Sequence, residues 1–257
     1  MVILKISMQQ MGHFIETLCS AFPMQGRTGG QEMKITMRYG VDAPFWVAFL
    51  IIIGLVFTLS GVFGSVNGFV FGYGLICLVT GLWMFTYSTT IKIAHREVIL
   101  SLAQAKSGDE LLDVGTGRGL LAISASQKGC KVTATDVWSK WDLGGNGKAK
   151  LKANMVAESV AEIDIVDADA RELPFSDGSF DVVVSNFVVH NIKSVEGRRK
   201  AILEMWRVLS PNGRLVISDF SKTAEYIQIL NSVSNRVEIK QFYYTFPFSK
   251  AVVVQKI

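Results

Sequence analysis

No Asp, Glu, Lys or Arg occurs between Ala43 and Ile91. The chain has 257 residues, with 26 Lys+Arg and 22 Asp+Glu, yet charged residues make up only 19% of it. Soluble domains carry roughly a quarter, and this block accounts for the shortfall. Within it, Pro44–Phe63 and Phe69–Thr89 are apolar runs joined by Gly64–Gly68. Each run is close to the ~20 residues that cross a bilayer core as a helix, and Gly, Ser and Thr are tolerated there. Trp46, Trp83 and Tyr87 lie towards the run ends, where interfacial aromatics collect. Two transmembrane helices are therefore expected over 43–91, at about 44–63 and 69–89, folded as a hairpin by the short linker. The bland alternative, two buried core helices, sits badly with so long a charge-free block. Arg27, Lys34 and Arg38 precede the hairpin and Lys92 and Arg96 follow it. By the positive-inside rule both termini lie on the cytoplasmic side of a membrane crossed twice. Residues 1–42 read as a cytoplasmic leader and linker: either an amphipathic surface helix, or a dispensable leader with translation able to start at Met33.

Residues 92–257 have ordinary composition and suffice for one α/β domain. Cys19, Cys77 and Cys130 are odd in number and lack CxxC spacing, and His13, His95 and His190 share no ligand spacing. Reduced thiols and no metal are the expectation. The net charge of +4 is too small and dispersed to argue for nucleic acid. Strand-like Glu110–Val114, Lys131–Thr135, Ile163–Val166, Phe180–Ser185, Arg214–Ser218, Val237–Tyr244 and Ala251–Gln255 alternate with helical patterns at Leu120–Lys128, Lys148–Val160 and Ser221–Val233. A further helix carries Ile202, Met205, Trp206 and Leu209 at helical spacing, with Pro211-Asn212-Gly213 as its breaker. The alternation predicts an α/β fold with a mostly parallel sheet and helices on both faces.

Leu111-Leu112-Asp113-Val114-Gly115-Thr116-Gly117-Arg118-Gly119 runs from a buried strand into a turn with three glycines and then a helix. Such a turn lets backbone approach a ligand, and the helix N-terminus offers free N–H groups; a tight βα turn with no ligand is the plainer account. Asp136 ends the next strand, where an acid grips ribose hydroxyls. The spacing is G-x-G-x-G, with Leu120 where a dinucleotide fingerprint requires glycine.

This segment resembles motif I of the class I S-adenosylmethionine-dependent methyltransferases. Asp167-Ala168-Asp169-Ala170-Arg171-Glu172-Leu173-Pro174-Phe175, then Asp177-Gly178-Ser179-Phe180-Asp181, resembles a run of their type 11 subgroup, which includes ubiquinone/menaquinone and sterol methyltransferases. Glu204, Arg207, Pro211 and Gly213 resemble its later motif, although Arg214 replaces a second glycine. The likeness covers about Asp109 to Ser218 and implies a Rossmann-like domain with a seven-stranded sheet that uses S-adenosyl-L-methionine. It implies that Asp113 faces the methionine ammonium, with Gly115, Thr116 and Gly117 close to the methionine and ribose. Asp136 accepts the ribose hydroxyls, and Asp169 with Ala170 reads the adenine amino edge. Val137 or Trp138 packs on the adenine, and Asn186 lies where sulfonium and acceptor meet.

His190 falls near the expected transfer site, as a base or as a hydrogen-bonding histidine at a helix start. Asp181 reads as structural. The Trp138–Gly147 loop reads as a lid, an interfacial loop, or a long loop packing its indoles. Ser185-Asn186-Phe187-Val188 lacks the [DN]PP[YF] pattern of enzymes that methylate amino groups of DNA, RNA or glutamine. The expected acceptor is a lipophilic or membrane-proximal small molecule or lipid. An NAD(P)-dependent oxidoreductase and a protein methyltransferase are the alternatives.

Overall fold

Helix α1 (Pro44–Val62) begins on a proline, whose missing N–H costs nothing in a first turn. Helix α2 (Gly68–Thr86) begins after Asn67, whose side chain accepts the Val70 N–H at 3.0 Å. The computed structural model describes residues 38–64, 66–138, 147–160 and 162–257. The expectations for the leader up to residue 37, and for residues 139–146 of the loop after Trp138, lie outside the described residues.

Helices α1 and α2 pack antiparallel through small residues. A Cβ on Gly54 would stand 2.5 Å from the Leu78 backbone nitrogen, and one on Gly81 would stand 3.0 Å from that of Ile51. Gly61 and Gly74 repeat the contact a heptad along each helix, against Phe71 and Phe57. Small residues let the two apolar helices approach backbone to backbone. The outer surface carries Ile52, Val56, Leu59, Phe69, Ile76 and Val79, all exposed. Only 11% of the first apolar window and 17% of the second is buried, unlike core helices. Both helices are long and apolar enough to cross a membrane.

The second helix does not stop near Thr89. A π-helical turn, Tyr87–Ile91, leads into α3 (Lys92–Leu102), giving one helical run from Gly68 to Leu102. The first charge after the apolar run fails to end it because that charge is taken up by the chain. Lys92 is buried, and its Nζ donates to the Gly40 carbonyl (2.5 Å), the Tyr39 carbonyl (3.3 Å) and Asp42 Oδ1 (3.1 Å). The strap Arg38–Asp42 is thereby tied to the helix base.

Beyond α3 the chain alternates as expected: β1 (Glu110–Val114), α4 (Leu120–Gln127), β2 (Lys131–Asp136), α5 (Lys148–Ala157), β3 (Asp164–Asp167), β4 (Phe180–Asn186), a 3-10 turn (Val189–Asn191), α6 (Val195–Val208), β5 (Leu209–Asp219), α7 (Thr223–Asn231), β6 (Val237–Phe242) and β7 (Ser249–Gln255). The sheet order is β3-β2-β1-β4-β5-β7-β6. Strands β1 to β5 pair in parallel, whereas β7 runs antiparallel to both β5 and β6, so the sheet is mixed. Side-chain alternation sorts two cores. Leu111, Val182, Val184 and Val216 face one with α3, α4 and α5; Leu112, Val183, Leu215 and Ile217 face the other with α6 and α7.

One boundary differs from expectation. Leu209 begins β5 instead of ending the helix, and Pro211-Asn212-Gly213 lies within that strand. The β4–β5 register moves from Phe180↔Leu209 to Val182↔Arg214, so the breaker residues form a bulge in the ladder. Cys77 and Cys130 are buried free thiols.

Candidate active site

In an open α/β sheet, ligands bind beyond the carboxyl ends of the parallel strands, and that edge gathers most of the expected residues. Strand β1 is followed by Gly115, whose φ of 75° suits a residue without Cβ. A Cβ there would lie 2.3 Å from Val188 Cγ2. The glycine thus brings the loop against the turn after β4. Gly115 and Thr116 donate their N–H groups to the Thr135 carbonyl at 2.8 and 2.9 Å. Gly119, at φ 84°, leaves room for Leu151 of α5, whose Cδ1 a Cβ would meet at 2.1 Å.

Asp136 ties the glycine turn to the end of β2. Its Oδ2 accepts the Gly117 N–H and its Oδ1 the Trp138 N–H, both at 2.9 Å. A carboxylate has about four acceptor sites, so two remain for a vicinal diol. Val137 beside it is exposed, an apolar surface suited to a purine face. Trp138 instead packs against the core under α3, α4 and α5.

Asp113 is buried, and its Oδ2 accepts the Ala122 N–H at 3.1 Å, joining β1 to α4. Burial pushes this carboxyl up to about 7, against the lowering effect of the Thr116 hydroxyl and the Ala122 N–H. Asp169 lies past β3, in a small bridge to Glu172. Its Oδ1 and Oδ2 face Arg171 Nε at 2.9 and 3.0 Å, and this guanidinium holds the carboxyl below its ordinary range. Ala170 packs against the core under α6 and α7. Asn186 closes β4 opposite Ser218. Its Oδ1 and the Ser218 hydroxyl are buried without hydrogen-bond partners, which suits an incoming donor such as an ammonium group.

The sequence reading missed Asp219, the last residue of β5. It is fully buried, and its carboxylate accepts the backbone N–H of His190 (3.1 Å) and of Phe220 (2.8 Å) and the Tyr226 hydroxyl (3.0 Å). His190 Nδ1 lies 2.8 Å from Asp219 Oδ1, and the ring rests on Phe220 with centroids 4.5 Å apart. Nδ1 is close to the carboxylate without being aligned for a hydrogen bond to it, and Nε2 lies on the other side of the ring. The available signal was an acid ending the strand Arg214–Asp219 beside the strand that leads to His190. Asp181 is structural as expected, its Oδ2 accepting the Glu110 N–H at 3.1 Å. Arg207 is structural too: it reaches Glu204, Asp177 and the carbonyls of Leu173 and Phe175.

Residues 112–217 match the family described as "Methyltransferase domain". The match spans less than half of the chain. The domain implies S-adenosyl-L-methionine as its cofactor, and the two free acceptor positions of Asp136 and the unpartnered Asn186 carbonyl fit that molecule. The chain is 36% identical over 122 residues to the ubiquinone/menaquinone biosynthesis C-methyltransferase UbiE of Vibrio parahaemolyticus, covering 46% of this chain and 44% of the relative. It is 35% identical over 126 residues to the demethylmenaquinone methyltransferase of Paenarthrobacter aurescens, covering 49% and 44%. The chain thus spans about half the length of the curated relatives it matches. A solved SAM-dependent methyltransferase from Aquifex aeolicus superposes with a TM-score of 0.51 at 21% identity, over 63% of this chain and 89% of that one; this likeness shows the shared fold.

The buried groups make a testable pH signature. Burial pushes His95 on α3 down to about 3. Below an unfolded pKa of about 6.5 the unfolded chain protonates while buried His95 does not, so its contribution falls as pH drops, by up to ~1.4 kcal/mol per unit. Asp113 acts in the opposite sense: its folded pKa is raised, so its contribution is present below about pH 4 and is lost as pH rises towards 7. The two slopes oppose each other between about pH 4 and 6.5. Unfolding measured across that window should be nearly flat in the parent. Asp113→Asn should lose stability on acidification, and His95→Phe on alkalinisation. Parallel profiles for all three proteins would refute the assignment.

Proposed function

We propose that this chain is a membrane-anchored S-adenosyl-L-methionine-dependent methyltransferase, with its catalytic domain on the cytoplasmic side, acting on a lipophilic ring acceptor of the quinol class. The observation carrying this reading is the meeting at one sheet edge of the Asp136–glycine turn, with its donor-hungry Asn186, and the His190–Asp219 pair. The quinone-methylating relatives support the acceptor class, and the exposed apolar surfaces of α1 and α2 support the anchor. The methyltransferase domain favours this over the nicotinamide alternative.

Bound cofactor supplies a methyl group already activated on a sulfonium. The protein's contribution is alignment, plus removal of a proton from the acceptor. Asp136 holds the glycine turn and would hold the ribose, and Val137 would offer an apolar face to the adenine. Asn186 Oδ1, buried without a partner, would accept from the methionine ammonium. Asp219 lies against His190 Nδ1, and Nε2 would take the phenolic proton, leaving the acceptor ring electron-rich. Phe220 and Phe187, edge to face at 5.8 Å, flank that position with apolar surface.

Membranes containing the protein, incubated with methyl-labelled cofactor and a prenylated demethylquinol, should place label in the lipid extract. His190→Ala should lower kcat about 10²–10⁴-fold with little change in cofactor Kd, and added imidazole should restore part of the rate. Label appearing only in protein would overturn the acceptor assignment. A His190→Ala enzyme of full activity would remove the base.

A further inference from the structure

We propose that the turn between β6 and β7, Tyr243–Phe248, is a lipid-contacting element that seats the cofactor edge of the sheet at the membrane–water interface. The inference rests on reading α1 and α2 as membrane-spanning, and adds the orientation and contact surface of the domain.

Strand register establishes which edge the turn occupies. Asp219 pairs with Lys250, and Phe242 with Ser249. The turn therefore projects from the edge where β5 ends, which is the edge of Asn186, Asp136 and the glycine loop. Ring contacts establish its neighbour. Phe248 lies 5.5 Å and Phe246 6.2 Å from Trp83, centroid to centroid. Trp83 belongs to the last turn of α2, between exposed Leu82 and Phe85. Wherever Trp83 sits in a bilayer, the turn sits beside it.

A second contact fixes the turn along the same helix. His95 packs against Phe242 at 4.7 Å, and its Nδ1 lies 3.1 Å from the Tyr244 hydroxyl. Trp83 and His95 are about 18 Å apart along a continuous helix, so the β6–β7 turn leans on it from the domain up to the level of Trp83. The glycine loop approaches the same helices from the other side, where Arg118 Nη1 donates to the Arg38 carbonyl at 3.2 Å, just before α1.

The turn also has the chemistry of an interfacial element. No charge occurs from Phe242 to Ser249, while Lys240 and Lys250 flank it. Its aromatic content suits the headgroup boundary, and lysines on either side suit anionic lipid. Thr245 and Ser249 are fully buried and bond to each other, Thr245 Oγ1 accepting the Ser249 N–H at 2.9 Å. This internal bonding is needed where water is scarce. Phe248 is nevertheless 46% exposed, with lipid as the occupant that matches its neighbours.

The test uses the full chain, with its three native cysteines replaced by alanine, in phosphatidylcholine–phosphatidylglycerol vesicles. A fluorophore is attached at Phe248→Cys, at Asn235→Cys on the opposite sheet edge, or at Val79→Cys on the outer face of α2. Quenching is read from lipids spin-labelled near the headgroup and deep in the acyl chain. Phe248→Cys should be quenched several-fold more than Asn235→Cys by the headgroup label, and Val79→Cys mainly by the deep label. Equal, weak quenching at 248 and 235 with strong quenching at 79 would overturn the seating while leaving the anchor intact. Absence of quenching at 79 would overturn the anchor and the seating together.

Discussion

Asp136→Ala is expected to weaken S-adenosyl-L-methionine binding by about 100-fold or more, because each charge-assisted hydrogen bond contributes roughly 1.5–3 kcal/mol. The carboxylate has two tasks. Toward the proposed ligand it would offer two acceptor positions for the ribose; toward the protein it holds the Gly117 and Trp138 N–H groups at 2.9 Å. Asp136→Asn should rescue little, since its amide group would confront one of those two donors with another donor. Asp181→Ala is the informative control. That acid bonds the Glu110 N–H and the Ser210 hydroxyl at the other end of the sheet, so its loss should lower stability and leave Kd unchanged. Calorimetric titration of the three variants separates the cases. A Kd for Asp136→Ala close to the parent value would reduce this acid to a purely structural link.

The second large effect is expected in the hairpin. Gly54→Leu should destabilise the protein by roughly 1–3 kcal/mol or more, the range for overpacking, because its first side-chain atom meets the Leu78 backbone at 2.5 Å. Backbone in an opposing helix does not rotate away as a side chain does. Gly81→Leu meets the Ile51 backbone and should behave alike. Gly72→Leu has nothing within 4 Å and should be neutral or mildly stabilising, since glycine is a poor helix former. Thermal unfolding in detergent, with all three compared, checks this. A Gly72 variant as damaged as the Gly54 variant would show that glycine acts through helix flexibility and not through close packing.

Particular residues show how far the sequence could be read. The alternation of Leu111 with Leu112, and of Val182 and Val184 with Val183, was legible as buried strand because strands bury both faces in such a sheet. Asp136 was legible from its place at the end of the second strand. Glu204 and Arg207 were legible only as part of a resemblance; their work, bracing the chain at Leu173, Phe175 and Asp177, is a matter of folding. Asp219 was not legible, because nothing local marks an acid whose donors come from His190 and Tyr226, on either side of it in sequence. The continuation of the helix through Tyr87–Ile91 was not legible, because only the folded strap of Tyr39, Gly40 and Asp42 accommodates Lys92.

The sequence by itself determined the two apolar helices, the alternating α/β domain and the acid-and-glycine turn at its centre, since these depend on local hydrophobic pattern and on spacing along the chain. The tertiary structure alone decided which edge of the sheet meets the apolar helices, that His190 shares Asp219 with Tyr226, and that Phe246 and Phe248 rest on Trp83. Those relations join residues far apart in sequence. They follow from strand order and from the antiparallel return of β7, which no local pattern encodes.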